Sequence, residues 1–293
     1  MSYKEFISGG FVERLEVFGN DLTVVNAARV SFAKESHEFS KQDGKLVQYL
    51  ARHNHISPFF HPQIRFRLKM PIFVAREWFR HTIGFSRNEV SRRYVDDAPE
   101  LWQPAAHHIR ARDPRAKQGS KDCAVDDAST AHRIMCDAQA AALKGYNDLL
   151  AAGVAPEIAR AVLPQSMMTE FIETASLAAY ARLCKLRLDP HAQKEIRDYA
   201  AAIERALHSH FPVSWAALME DTAPAVQSTT AVQPTIEQTV TFNTASLEKM
   251  KLYDEQIEVT KTSVVDTSNV NNSSSIKQDY EQPQFSEYTQ WGC

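Results

Sequence analysis

Cysteine is scarce in this 293-residue chain, and the few cysteines lie far apart in the sequence. No CxxC pair occurs among the four, which are Cys123, Cys136, Cys184 and Cys293. Because this spacing offers no disulfide framework, a reducing, cytoplasmic setting is expected. None of the four is flanked by a group that would activate a thiol, which argues against cysteine catalysis.

Long apolar runs are also missing. No stretch of about 18 or more apolar residues occurs, so no membrane-spanning helix is expected. The first ten residues, MSYKEFISGG, lack the basic start and the apolar stretch of a secretion signal. With 44% hydrophobic and 10% aromatic residues, the composition is nevertheless that of a globular protein with a substantial core.

Arginine and histidine are absent from residues 221–293, although 11 histidines precede them. Ser, Thr, Asn and Gln make up 31 of these 73 residues, and ten acidic residues oppose four lysines. The tail therefore carries a net charge of −6, and residues 1–220 carry +3. Such a composition buries too little apolar surface to offset chain entropy. We predict a folded domain at 1–220 and a polar, acidic, disordered tail at 221–293, with a small appended or partner-binding module as the alternative.

Residues 1–220 show both strand and helix periodicities. Apolar residues alternate with polar ones from Ile64 to Met70, which predicts a strand with one buried face, and 11–19 is a weaker strand. Helices are predicted at 21–32, 45–53, 71–82, 134–149, 155–164, 174–187 and 189–207, and a surface insertion at 104–125. The predicted buried helix faces are Leu46, Tyr49 and Leu50; Ile134, Met135, Ala138, Ala142, Tyr146 and Leu149; and Ile196, Tyr199, Ala200, Ile203 and Leu207. The pattern indicates a helix-rich α+β domain with a small antiparallel sheet.

The segment REWFRHTIGFSRNEVSRRY, residues 76–94, clusters arginines with aromatic residues. Guanidinium groups match phosphate oxygens and stack on flat rings, so the segment predicts a cradle for a phosphorylated, ring-bearing ligand. In this hypothesis Glu89 accepts from a ribose hydroxyl or a base N–H, and Ser91 donates to phosphate. The cradle arginines are Arg80, Arg87, Arg92 and Arg93. A solvated basic loop is the alternative, and a single-stranded nucleic acid is a second one. The confinement of the basic residues to one place argues against nucleic acid.

Two further sets of residues are candidates for chemistry. His53, His55 and His61 fit no strong zinc spacing and have no acidic residue or cysteine among them, so no metal site is predicted. His55 is instead a candidate polar contact to a cofactor. The second set consists of three arginines in otherwise apolar helices: Arg160, Arg182 and Arg187. Each needs an anionic or hydrogen-bonding partner. A salt bridge from Asp189 to Arg187 is the alternative to a ligand.

Taken together, these segments resemble the flavin-dependent thymidylate synthase family. That family carries Arg-His-Arg, then seven residues and Ser, closed by Asn-Glu-x-Ser-x-Arg-Tyr, to which REWFRH and NEVSRRY are similar. Other segments resemble the family in the same order over roughly residues 10–220: AARVSF, LVQYLARHNHISPFFH, MPIFVAREWFRH, ARAVLP and LRLDPHAQKEI.

The resemblance implies a fold and an activity. The fold is α/β of the α+β type, a curved antiparallel sheet with surrounding helices in one catalytic domain, assembled as a homotetramer with active sites between subunits. The activity is synthesis of dTMP from dUMP, with the methylene from 5,10-methylenetetrahydrofolate and the hydride from FAD that NADPH reduces. The alternatives are a non-catalytic nucleotide- or single-strand-binding protein on the same scaffold, and a His-based metallohydrolase.

The resemblance also implies roles for individual residues. Arg187 is the implied catalytic residue, because a cation at the uracil ring favours the N3-deprotonated base and makes C5 more nucleophilic. The residues implied to bind dUMP are Glu77, Arg80, Glu89, Val90, Ser91, Arg92, Arg93, Arg160 and Arg187. Those implied to contact FAD are His55, Ser57, Arg80, His81, Thr82, Ser176, Leu177, Ala178 and Arg182.

The sequence departs from the family pattern at several of these positions. Thr82 stands where the third residue of the triplet is usually Arg, and one extra residue separates His81 from the Glu89 segment. Glu77 replaces the usual Gln, exchanging a two-way hydrogen-bonding group for an acceptor when ionised. The other departures are Phe60 in place of Glu, and Ser176 and Arg182 in place of Asn. Thr82 and the extra residue imply altered local contacts to FAD, and the substitutions as a set are those of a divergent branch of the family.

Overall fold

The computed structural model describes residues 3–94, 98–114 and 119–220. The described residues belong to one unit of the chain, Met1–Ala225. The tail predicted at 221–293 lies outside the described residues, so the domain boundary at 220 stays a prediction.

Eight helices and seven strands occur within the described ranges. In chain order they are β1 (Tyr3–Ile7), β2 (Gly10–Phe18), α1 (Asp21–Arg29), α2 (Lys41–Arg52), β3 (Gln63–Pro71), α3 (Ile72–Trp78), β4 (Phe85–Glu89), β5 (Arg110–Arg112), β6 (Ser120–Ala124), α4 (Ala128–Ala151), α5 (Pro156–Ala159), β7 (Met168–Ser176), α6 (Leu177–Arg187), α7 (Lys194–His208) and α8 (Pro212–Met219). Short 3₁₀ turns lie at Val30–Phe32, Ser57–Phe60, Ala106–His108 and Arg160–Val162.

An antiparallel sheet of five strands, in the order β1-β2-β3-β7-β4, forms the centre of the fold. The strand predicted from alternation is its middle strand β3, where Ile64, Phe66, Leu68 and Met70 are fully buried. The polar residues between them face outward and form ion pairs such as Arg67–Glu170. A register shift in β2 marks a bulge, which bends a strand. The sheet thus has one core face and one polar face.

Helices cover the core face of the sheet. The face of α7 predicted from helical spacing is buried throughout, and α6 buries most of its residues. Together with α1, α2, α3 and α8 they pack on β2, β3 and β7 in one hydrophobic core. This arrangement confirms the predicted mixed α/β fold with an antiparallel sheet. The insertion predicted at 104–125 contains the separate hairpin β5–β6.

Several predicted elements were wrong in detail. Residues 174–176 belong to β7, which the sequence did not reveal because Glu173 points into the core while Ile172 faces outward. Helix α7 begins at Lys194 and not at Asp189, because the Asp189 carboxylate accepts from the His191 backbone in a local turn. On α2 and α4, Tyr49 and Ile134 are 53% and 59% exposed, and Ala138 is exposed as well, so none of the three belongs to a buried face.

No helix within the described ranges is long and apolar enough to span a lipid bilayer.

Candidate active site

The arginine-rich signature, residues 76–94, folds as a helix, a turn and an edge strand. Pro71 ends β3 and caps α3, whose last residue is Trp78. The chain then reverses, and the Phe85 backbone N–H donates to the Thr82 carbonyl at 3.2 Å. Gly84, at the third position of this turn, has a φ of 81°, which a type II turn requires and which other residues rarely adopt. The strand β4 follows and pairs with β7.

Three side chains, Glu77, His81 and Arg187, meet at the end of α3 and are called the His81 cluster below. Arg187 Nε donates to His81 Nε2 at 2.9 Å, and its Nη2 donates to the Glu77 carbonyl at 3.3 Å. Arg187 Nη1 lies 3.6 Å from Glu77 Oε2. The salt bridge from Arg187 to Asp189 was therefore wrong, because Glu77 on another helix is the acidic partner.

His81 is uncharged at neutral pH. Burial first, and then the positive charges of Arg187, Arg87 and Arg182, lower the pKa of His81 from 6.5 to about 4. Since Nε2 accepts a hydrogen bond from Arg187, the ring proton resides on Nδ1. The cluster thus holds the guanidinium of Arg187 by a neutral acceptor and a carboxylate.

A cavity of about 690 Å³, the first cavity below, lies beside the signature. Its lining comes from α3, the end of β4, the α5 turn and the start of β7, and includes Ile72, Arg76, Phe79, Glu89, Val90, Ser91, Arg92, Glu157, Arg160, Leu163, Met167, Met168 and Thr169. Thr169 Oγ1 donates to Glu89 Oε1 at 2.5 Å, which fixes the orientation of that carboxylate. Three guanidinium groups and a serine hydroxyl beside apolar walls suit a phosphorylated, ring-bearing ligand.

The structure divides the residues predicted to bind dUMP. The first cavity collects Glu89, Val90, Ser91, Arg92 and Arg160. The remaining residues lie elsewhere: Glu77 and Arg187 are in the His81 cluster, and Arg80 and Arg93 are exposed. The guanidinium of Arg93 stacks on Tyr94 at 5.1 Å.

Arg87 does not belong to the ligand cradle, contrary to the sequence-based expectation. It is half-buried and forms an ion pair with Glu173 inside the sheet. Its Nη1 donates to the His81 carbonyl at 2.6 Å. Arg87 therefore stabilises the fold around the signature and lines neither cavity.

A second cavity, of about 650 Å³, lies between α2, the following 3₁₀ turn, α6 and α8. Its lining is Ala51, Arg52, Asn54, Ile56, Phe60, Ala178, Ala181, Arg182, Lys185, Leu186, Ala217, Leu218 and Glu220. Apolar walls together with three cations in the lining suit a flat ring system that carries phosphates. Arg182 Nη2 also donates to the Ile83 carbonyl at 2.5 Å, so this cavity is joined to the signature turn.

Two of the nine residues predicted to contact FAD line this second cavity, and two more directly follow its lining residues in the sequence. Ala178 and Arg182 line it, and exposed His55 and Ser57 follow its lining residues Asn54 and Ile56. The ring of His55 stacks on Tyr49. Ser176 caps α6 by accepting from the Ala179 backbone, Leu177 is fully buried in the core, Thr82 is exposed, and Arg80 and His81 have the positions given above. Leu177 thus has no side-chain surface for a ligand.

Sequence reasoning missed several lining residues. Arg76 and Thr169 line the first cavity, and Arg52 and Lys185 line the second. Arg182 and Lys185, three residues apart, lie on one face of α6, and this spacing was a usable signal. Arg80 follows the end of α3 and lines neither cavity, so its spacing from Arg76 was not. No such signal marks Thr169. Within the described ranges, no three His, Cys, Asp or Glu side chains gather as metal ligands.

Comparison with known proteins identifies the family. The family model described as Thymidylate synthase complementing protein matches residues 15–213. The chain belongs to this family. A flavin-dependent thymidylate synthase from Thermus thermophilus is 41% identical over 211 residues, which is 72% of this chain and 76% of that protein. The enzyme of the same name from Thermotoga neapolitana is 40% identical over 212 residues, covering 72% and 91%.

A solved structure shares the fold of this chain. The UMP/dUMP methylase PolB from Streptomyces cacaoi, bound with 5-Br dUMP, matches with a TM-score of 0.65 and 32% identity. The match covers 72% of this chain and 95% of that one. The resemblance drawn from the signature and its neighbouring segments is thereby confirmed.

Proposed function

We propose that this member of the family synthesises dTMP from dUMP, with 5,10-methylenetetrahydrofolate as methylene donor and FAD, reduced by NADPH, as hydride source. One observation carries the proposal. The first cavity brings the signature residues Glu89, Ser91 and Arg92 together with Arg160, which lies about 70 residues further along the chain. Two guanidinium groups and a hydroxyl that donate, beside a carboxylate that accepts, are what an anionic nucleotide needs.

In this proposal the first cavity holds the nucleotide. Arg92 and Arg160 neutralise the phosphate, and Ser91 donates to it. The carboxylate of Glu89, fixed by Thr169, accepts from the sugar or the base. The proposed contribution of this set is binding and orientation of the nucleotide.

Arg187 is the proposed catalytic residue. Its guanidinium favours the N3-deprotonated pyrimidine and so increases electron density at C5. Neutral His81 accepts from Nε, and Glu77 lies on the Nη side, so the remaining N–H groups have a defined direction. A charged histidine at this place would repel Arg187 and remove the acceptor.

The second cavity has the chemistry expected of a flavin site. Bound FAD supplies the hydride that converts the transferred one-carbon unit into a methyl group. Apolar walls from Ala178 and Ala181 suit the ring system, and Arg52, Arg182 and Lys185 suit its phosphates. These cations offset the loss of the usual arginine at Thr82. Contacts from His55 and Ser57 to FAD are part of the same proposal.

We further propose that the working enzyme is a homotetramer with sites between subunits, in a cytoplasmic setting. The separation of the predicted dUMP residues into the first cavity and the His81 cluster supports the shared site. Arg80 and Arg93, exposed in the single chain, are the groups that a neighbouring protomer brings to the nucleotide.

Rescue of a thymidine-requiring bacterium tests the function directly. Both the full chain and residues 1–220 should restore growth without thymidine, and Arg187→Ala should not. Purified protein should be yellow from bound flavin and should consume NADPH only with dUMP and the folate present. UMP serves as the comparison substrate. Nucleotide binding by a colourless protein without turnover would favour the non-catalytic alternative, and a requirement for zinc would favour the hydrolase.

A further inference from the structure

A buried carboxylate lies in the middle of the sheet. Glu173 on β7 has no exposed surface, and its neighbours across the sheet are Phe66 on β3 and Arg87 on β4. Burial raises the pKa of Glu173, and the guanidinium of Arg87 opposes that rise. Such a group is costly in the interior unless hydrogen-bond donors surround it. The identity of those donors therefore decides what the carboxylate does.

Two side chains of the signature donate to this carboxylate. Trp78 Nε1 donates to the two oxygens at 3.1 and 3.2 Å, and Arg87 Nε donates to Oε2. Trp78 is the last residue of α3, whereas Arg87 lies in β4. A single carboxylate thus ties together the two ends of the loop that contains His81.

Arg87 extends this restraint to the centre of the loop. Its Nη1 donates to the His81 carbonyl at 2.6 Å, and its guanidinium lies over the rings of Phe79 and Phe85 at 5.3 and 4.5 Å. The imidazole of His81 in turn accepts from Arg187 Nε. A continuous series of contacts therefore joins Glu173 to Arg187, although neither Glu173 nor Arg87 lines either cavity.

We propose that Glu173 is a positioning residue of the active site. Through Trp78 and Arg87 it fixes the loop that carries His81, and so sets the direction of the Arg187 guanidinium. The inference rests on the proposed function, in which Arg187 acts on the pyrimidine. It differs from a purely structural role, in which Glu173 only satisfies its own donors.

Single substitutions give the first test. In Glu173→Gln the amide cannot serve as a charged acceptor for Arg87, so kcat should fall about 10- to 100-fold while KM for dUMP stays within about threefold. Glu195→Gln is the matched control, because Glu195 is also largely buried and accepts from Arg110 at 2.8 and 3.0 Å outside the signature. The control should keep wild-type kcat. Equal loss in both variants would overturn the proposal.

A double substitution separates positioning from stability. Replacing both charges, in Arg87→Met with Glu173→Met, leaves no unpaired buried charge, so the thermal midpoint should lie above that of either single Met variant. The loop has then lost its restraint, and kcat should stay low. Wild-type kcat in this stable protein would sink the proposal, and this comparison decides the matter if Glu173→Gln does not fold.

A readout independent of turnover is the titration of His81. In histidine-labelled protein, the NMR-detected pKa of His81 should be about 4 in the wild type. In Glu173→Gln the released loop exposes the imidazole, and because burial is the largest cause of the lowered pKa, its loss should outweigh the unpaired charge of Arg87 and move the pKa toward 6.5. An unchanged His81 titration in a folded variant would contradict positioning even if activity falls. If the wild type lacks turnover, the proposed function fails, whereas the titration still decides whether Glu173 orders the loop.

Discussion

At the scale of single residues, His81 links the electrostatics of the site to the stability of the fold. Its pKa is lowered from 6.5 to about 4 by burial and by neighbouring guanidinium groups. Between these values the unfolded chain binds a proton that the folded protein does not. The free energy of unfolding should therefore fall as the pH drops from 6.5 to 4, and this contribution should level off below about pH 4.

Urea denaturation over this pH range measures the effect. Replacing His81 by Asn removes the proton-binding difference, so the pH dependence between 6.5 and 4 should become shallower than in the wild type. His61→Asn, at an exposed position, leaves His81 in place and should keep the wild-type slope. Identical slopes for all three proteins would show that His81 is not held neutral.

Residue types alone did not distinguish the roles of the arginines. Arg87 and Arg92 occur in the same segment, yet one pairs with Glu173 inside the sheet and the other lines the first cavity. The difference arises because β4 pairs with β7 in a register that places Arg87 opposite Glu173. That register connects positions 86 residues apart. Local sequence patterns contain no information about it.

At the scale of elements, the turn between α3 and β4 depends on Gly84. Its φ is 81°, and a Cβ added there would lie 3.1 Å from Ala179 Cβ on α6. Gly84→Ala should therefore lower the free energy of unfolding. The left-handed backbone should account for about 1–2 kcal/mol, and the close contact with Ala179 should add to this loss. Urea midpoints measure both.

Two other glycines separate these contributions. Gly153 has the same φ of 81° with no atom within 4 Å of an added Cβ, so Gly153→Ala should show the backbone cost alone. Gly145 lies within α4, also with open space, and Gly145→Ala should raise stability by about 1 kcal/mol. If Gly84→Ala cost no more than Gly153→Ala, α6 would be shown to move aside freely.

Elements with one buried and one polar face were predictable, and the others were not. In β3 every second side chain is buried, and in α7 the buried residues recur at helical spacing, so their periods show in the sequence. In β7 the buried face contains Thr169 and Glu173, whose partners lie on other strands. Because two residues of its buried face are polar, β7 could not be recognised as a strand from the sequence. Yet β7 provides Thr169 to the first cavity and Glu173 to the ion pair within the sheet.

At the scale of the whole molecule, the proposed shared site predicts that two inactive variants complement each other in a mixed tetramer. Arg160 lines the first cavity, and Arg187 belongs to the His81 cluster. If one active site takes Arg160 from one protomer and Arg187 from another, a mixed tetramer contains some sites with both arginines intact. Each single variant, Arg160→Ala and Arg187→Ala, should be nearly inactive alone.

Co-expression of the two variants with different affinity tags, followed by double purification, gives such mixed tetramers. A site is intact only when the Arg187→Ala variant supplies Arg160 and the Arg160→Ala variant supplies Arg187. In random assembly each of these conditions is met about half the time, so activity per site should reach about a quarter of the wild-type value. Wild type co-expressed with Arg187→Ala should reach about half, which calibrates the mixing. Were both arginines supplied by the same protomer, every site in the variant mixture would lack one of them. Activity would then stay at the level of the single variants, and the site would belong to one chain.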